Sequence, residues 1–227
     1  LSQLQNITRI KAVHQALGEL NDRILFVGGA TVSLYSDQPT GEVRPTDDVD
    51  ILVELVNYKG YADIEEQLRR KGFVNDIDSE IICRFKIQGI IVDVMPTSGE
   101  VLGFTNRWYE EGFKDPMEKD LGQNVVIKLF QPYYFLASKM EAFKNRGGGD
   151  GRMSSDFEDI TFVLNNRNTI WDEMQAASDS VKEYLKAEFG NLSKSDLLYE
   201  WISVHLDYAE QNRTTFIVGG LEQFIRS

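Results

Sequence analysis

The stretch Phe26-Val27-Gly28-Gly29-Ala30, followed downstream by Arg44-Pro45-Thr46-Asp47-Asp48-Val49-Asp50-Ile51-Leu52-Val53, decides the fold. An apolar run broken by carboxylates at i and i+2 reads as a β-strand carrying both acids on one face, because side chains alternate with a period of two. Asp48 and Asp50 are therefore expected side by side, with Asp47 turned to solvent on the opposite face. Two like charges so close repel unless a cation neutralises them, and hard divalent ions such as Mg2+ take oxygen ligands of this kind. Upstream, a double glycine between an apolar strand and a helical segment offers bare backbone N–H groups where a phosphate can bind. Its duller reading is a tight turn. A metal site beside a phosphate cradle points to nucleotide chemistry.

On the N-terminal side of this stretch, Ile7, Ile10, Val13, Leu17 and Leu20 recur at three- and four-residue steps, predicting an amphipathic helix that Asn21-Asp22 ends. Residues 24–27 read as a short buried strand, 30–35 as a helix, 36–46 as a polar loop with Pro39, Gly41 and Pro45, and 49–55 as the next strand. Ile64 and Leu68 share one face of a helix over 61–71 that Gly72 stops. Alternation over 81–87, the pair Gln88-Gly89 and the run 90–95 predict a β-hairpin, and 125–130 a further strand. From Pro132 the strand signals fade and helical spacing takes over, over 133–145, 156–164, 170–189 and 193–211. The glycine-rich run 145–151 reads as a flexible linker.

With 227 residues and 42% hydrophobic content, the chain can bury a full core. Its longest apolar runs, such as 90–94 around Asp93, fall far short of the ~20 residues needed to span a bilayer. Arg9, Lys11 and Asp22 interrupt the first thirty residues, so no secretory signal is expected. The single Cys83 can form neither an internal disulfide nor a cysteine metal cluster, which fits a cytoplasmic protein. A net charge of −12 repels a polyanion at long range, so bulk nucleic-acid binding is not expected, although a local patch could engage an RNA end.

Asp93 lies within Ile90-Ile91-Val92-Asp93-Val94-Met95-Pro96, where a charge in an apolar strand is costly unless paired or metal-bound. It is the third ligand candidate. If its strand neighbours the one bearing Asp48 and Asp50, three carboxylates converge and could hold two metal ions that align a hydroxyl and a leaving pyrophosphate.

These residues resemble the nucleotidyltransferases of the DNA polymerase β superfamily, whose motif is a hydrophobic residue with Gly-Gly or Gly-Ser, then Asp-x-Asp, then a third strand Asp. Within it the chain looks most like the AbiEii-type enzymes, which include toxins of bacterial toxin–antitoxin systems and typically carry Arg-x-Ser/Thr-x-Asp-x-Asp. Here that pattern is Arg44 to Asp50. Leu136-Ala137-Ser138-Lys139-Met140-Glu141-Ala142-Phe143 and Ser154-Ser155-Asp156-Phe157-Glu158-Asp159-Ile160 resemble the family's Lys-x-x-Ala and Asp-x-x-Asp-Ile helices. The likeness covers roughly residues 20–165.

The fading of strand signals at Gln131-Pro132 sets a helical C-terminal domain over 132–227 behind a domain over 1–131, for which the resemblance implies an α/β fold, a short mixed β-sheet flanked by helices. It implies Gly28, Gly29 and Lys139 at the nucleotide phosphates, and Asp48, Asp50 and Asp93 as catalytic metal ligands for Mg2+. Arg146 and Asp156 are further suggestions. The implied reaction moves a nucleoside monophosphate from a nucleoside triphosphate to an acceptor hydroxyl. The acceptor is a tRNA 3′ end in a toxin–antitoxin setting with an antitoxin protein partner, a protein side chain, or a small molecule such as an antibiotic. The competing reading is a catalytically silent nucleotide- or partner-binding module of the same fold. Charge decorating an exposed helix face is the competing account of Lys139, Lys144 and Arg146.

Overall fold

Ile24–Val27, here β1, is apolar at all four positions and buried at all four, the pattern of a strand enclosed on both faces. The computed structural model describes residues 2–37, 43–54, 58–103, 105–146 and 149–227. They divide into two compact units: 2–34 with 43–131, and 35–37 with 132–227.

The first unit is built on a mixed sheet of seven strands among the described residues. Its strands are β1, β2 (Asp48–Val53), β3 (Val74–Asn75), β4 (Arg84–Ile87), β5 (Ile90–Pro96), β6 (Pro116–Asp120) and β7 (Val126–Phe130), in the order β3-β4-β5-β2-β1-β7-β6. β2 runs antiparallel to β1 and parallel to β5, and β1 runs parallel to β7. Helix α1 (Ser2–Leu17) buries Ile10, Val13 and Leu17, and Gly18, at φ +55°, turns it into a 3-10 segment. In α2 (Tyr58–Arg70), Tyr61, Ile64 and Leu68 form the buried stripe, and the Tyr61 hydroxyl donates to the Val94 carbonyl over 3.1 Å. Gly72, at φ +91°, closes this helix as expected. The short helices α3 (Gly99–Leu102) and α4 (Tyr109–Lys114) follow β5.

The hairpin of β4 and β5 forms as predicted. Gln88 and Gly89 both take positive φ, 50° and 79°, which matches the twist of a two-residue hairpin turn. Residues 81–83 stay outside the strand, and β3 and β6 were not expected. β6 is an edge strand of sequence Pro-Met-Glu-Lys-Asp, whose charges and proline guard an edge and hide the strand signal. The polar loop expected over 36–46 is described only at 36–37 and 43–46; the rest, with Pro39 and Gly41, lies outside the described residues.

The second unit is helical: α5 (Pro132–Arg146), α6 (Ser155–Asn166), α7 (Ile170–Ala176), α8 (Asp179–Leu192), α9 (Leu198–Val204) and α10 (Arg213–Arg226). The helix expected over 170–189 is two helices, because Ala177 and Ser178 are extended (ψ 161° and 148°). Ser178 and Asp179 are residues that favour a new helix start over a helix interior. Phe143 and Phe157 pack tilted against each other, and Trp201 meets both edge to face, in a buried aromatic cluster of this unit. In the predicted linker, Gly147 and Gly148 lie outside the described residues, and Asp150 caps a short 3-10 turn, Gly151–Met153. Among the described residues, no helix is long and apolar enough to cross a membrane. An α/β unit with a mixed sheet and flanking helices, followed by a helical region, is the fold class expected.

Candidate active site

Period-two alternation along β2 sends Val49 and Ile51 into the core, both 0% exposed, and leaves Asp48 and Asp50 half-buried on the other face. Asp47 is exposed in the bend before the strand, as expected. In the parallel register of β2 and β5, Asp50 stands directly opposite Asp93. In the antiparallel register of β4 and β5, Asp93 stands opposite Arg84. Arg84, Asp93 and Asp50 thus form one row across three strands, and Val27 at the end of β1 continues it.

Asp48, Asp50 and Asp93 converge: each offers a carboxylate oxygen, and these atoms lie within 4.8 Å of one another. At that separation two carboxylates repel by roughly 3–4 kcal/mol at an effective dielectric constant of about 20, so the cluster needs positive charge. Arg84 supplies it. Its Nε donates to Asp93 Oδ1 (2.8 Å), while its Nη2 donates both to Asp93 Oδ2 (2.7 Å) and to Asp48 Oδ2 (3.1 Å). The hydrogen bonds to Asp93, and then the charges of the three acids, hold the guanidinium more firmly protonated than usual. Burial, with the charge of Asp93 second, pushes the neighbouring Cys83 thiol up to about 11.

The glycine pair stands against this cluster. Gly28 has φ +75°, and a Cβ there would come within 1.8 Å of Asp50 Oδ2. At Gly29 a Cβ would meet Arg44 Nη2 at 2.3 Å. The bare backbone is thus what lets the Asp50 carboxylate and the Arg44 guanidinium close in on the end of β1. Helix α1 fixes the approach to β2: Ser2 donates to the Val43 carbonyl, Arg9 to the Thr46 carbonyl, and Asn6 Oδ1 accepts from the Thr46 hydroxyl (3.1 Å).

Lys139 belongs to the helical unit, where its ammonium lies 3.1 Å from Asp156 Oδ1 and 2.6 Å from Asp159 Oδ2, with the side chain only 7% exposed. Arg146 grips Asp156 with two further bonds, 2.8 and 3.0 Å. Burial works to raise the Asp156 carboxyl, but Arg146 and Lys139 prevail and hold it below its ordinary range. The lysine and the aspartates of the two motif-like helices therefore meet one another. Neither Arg84 nor the nearness of Arg44 to the glycines was expected from sequence. Arg84 was findable: three residues back from Ile87 and three forward from Ile90, across a two-residue turn, are Arg84 and Asp93.

The donor set, three carboxylates with hard oxygens, fits Mg2+ or Mn2+, and the guanidinium drawn between two of them marks where positive charge is required.

No protein-family model and no curated protein matches the sequence. Among solved structures, an antigenic nucleotidyltransferase-like protein from Paracoccidioides brasiliensis is similar, at 20% identity and a TM-score of 0.53, over 90% of this chain and 94% of that one. The antibiotic-resistance factor ANT(2'')-Ia aligns over 86% of this chain and 97% of its own, at 12% identity and a TM-score of 0.48. The first likeness shows the fold, that of a nucleotidyltransferase-like protein.

Proposed function

We propose that this chain is a divalent-metal-dependent nucleotidyltransferase that moves a nucleoside monophosphate from a nucleoside triphosphate to an acceptor hydroxyl, releasing pyrophosphate. The observation that carries the reading is the meeting of Asp48, Asp50 and Asp93 beside the Gly28 corner. Asp48, Asp50 and Asp93 would hold Mg2+. When bound, the ion supplies charge to offset the triphosphate and favours the ionised acceptor hydroxyl. Asp50 and Asp93 are the candidates to accept the acceptor's proton, since both carboxylates face the cluster. Gly28 and Gly29 admit backbone close to the phosphates. Lys139 enters as a positioning residue that locks α5 to α6; meeting a phosphate would require it to release Asp156 and Asp159.

The AbiEii-type assignment rests on the Arg44-to-Asp50 pattern and on the blocks around Lys139 and Asp156. It makes a tRNA 3′ end the first acceptor to try, with proteins and small hydroxyl compounds beside it. Incubation with Mg2+ and each α-labelled triphosphate, against that panel, tests the reading. The expected result is label transfer that disappears in Asp48→Ala/Asp50→Ala. Absence of aspartate-dependent transfer to every acceptor class would favour a silent binding module.

A further inference from the structure

Arg84 lies where a metal would compete with it. The nitrogen Nη2 stands between Asp93 Oδ2 and Asp48 Oδ2, and Nε takes the other oxygen of Asp93, so the guanidinium fork spans both oxygens of the buried acid. A divalent ion bridging Asp48 and Asp93 would sit about 2.0–2.6 Å from their oxygens, in the space that Nη2 fills. A doubly charged ion and a guanidinium cannot share that space, since like charges at contact repel. The Asp48 side of the cluster opens to solvent, and the arginine can leave that way: the side chains of Asp48 and Arg84 are 32% and 18% exposed, that of Asp93 11%.

We infer that Arg84 is a resident counter-cation: it holds Asp48 and Asp93 together in the metal-free protein and is displaced when a divalent ion takes the Asp48–Asp93 position. This rests on the metal-site reading above and adds to it that Arg84 sets the ion affinity of the site. Arg84 acts through the two carboxylates and is a positioning residue. The fork geometry matters as much as the charge, because a lysine offers a point charge and cannot span both oxygens of Asp93. Metal loading is then an exchange of one cation for another, and the site resists weak or dilute ions.

The test is Mn2+ binding, read from the electron paramagnetic resonance signal of the free ion, for wild type, Arg84→Gln, Arg84→Lys and Asp48→Asn/Asp50→Asn. Wild type is expected to bind Mn2+ through the aspartates, Arg84→Gln to bind it about tenfold more tightly, and Arg84→Lys to fall between. In EDTA, Arg84→Gln should melt below wild type, and saturating Mn2+ should raise its Tm by more than it raises that of wild type. An arginine with only a structural role would act in reverse, its loss loosening the strands and weakening the ion. A folded Arg84→Gln that binds Mn2+ no more tightly than wild type overturns the inference and leaves the metal site standing. Absence of aspartate-dependent binding in both proteins overturns the metal-site reading, and this one with it. If Arg84→Gln does not fold, wild type still decides. The 15Nε resonance of Arg84, assigned through Arg84→Lys, must shift as Mg2+ saturates the site, and a resonance that stays put overturns the inference.

Discussion

Asp50 and Asp93 are register partners on the parallel strands β2 and β5, so two acids far apart in sequence face each other across one ladder. Side chains at paired positions of a sheet point to the same face, and Asp48, two residues from Asp50, joins them there. Asp93 on the interior strand β5, beside the central strand β2, is 8% exposed, and the site is thus carried by strands and not by a loop. The consequences are testable one residue at a time.

Asp50→Asn keeps the shape of the side chain and removes one charge from the cluster. Nucleotidyl transfer should fall by about a hundredfold or more, through kcat, because the lost interaction serves the reacting centre. Tm should hold or rise, since the substitution relieves like-charge repulsion among the three acids. Label-transfer kinetics beside thermal denaturation check both halves.

Gly28→Ala places a methyl group on the Asp50 carboxylate, at a backbone angle that disfavours any side chain. The expected cost is roughly 1–3 kcal/mol, with loss of Mn2+ binding. Gly89→Ala is the matched control: its φ of 79° is equally strained, but the new Cβ meets no described atom within 4 Å. It should lose less stability and bind Mn2+ as wild type does. Chemical denaturation and ion titration of the two variants make the comparison.

Lys139→Met takes the ammonium away from Asp156 and Asp159, buried acids 2% and 1% exposed, and leaves Arg146 to hold Asp156. Removing one partner of a buried ion pair costs about 3–5 kcal/mol, so this variant should be markedly destabilised with or without nucleotide. Urea unfolding with and without a triphosphate provides the check. A variant of normal stability with a raised KM for the triphosphate would instead place the lysine at the phosphates.

Asp156 also makes the helical unit sensitive to acid. Its folded pKa lies below the ordinary 3.8, so its contribution to stability is present in full above that value. It is lost as the pH falls below 3.8 and through the folded value. Asp156→Asn should be less stable than wild type at neutral pH and flatten this part of the acid limb, measured by circular dichroism melts across the acid range.

Cys83 should resist alkylation. It is 2% exposed, and its thiol is pushed up to about 11, so at neutral pH the reactive thiolate is scarce and sheltered. Reaction with a thiol reagent should be slow in buffer and rapid in denaturant, followed by absorbance.

Local rules made much of this legible. Gln88-Gly89 between two alternating runs was readable as a two-residue turn, because few residue pairs accept positive φ twice. Gly72 as a helix stop and the stripe of Ile64 and Leu68 follow from the same kind of short-range chemistry. β6 escaped because its residues are those that protect an edge, and the break at Ala177-Ser178 escaped because apolar spacing continues across it. Arg84 escaped for another reason. It lies on the polar side of a hairpin, and charge on that side ordinarily means solvent.

The sequence by itself determined that Asp48 and Asp50 share a face, since the period of an extended chain is two and needs no partner strand to express it. It also determined, through the positions of its glycines, where the chain could turn left-handed and where backbone could be approached closely. Only the tertiary structure decided that β5 would lie parallel to β2 with Asp93 opposite Asp50, that Arg84 would close on the acids, and that Lys139 would be held by Asp156 and Asp159. Pairing between distant strands and helices is chosen by the whole packed core, and a charged side chain takes its partner from whatever that packing brings within reach.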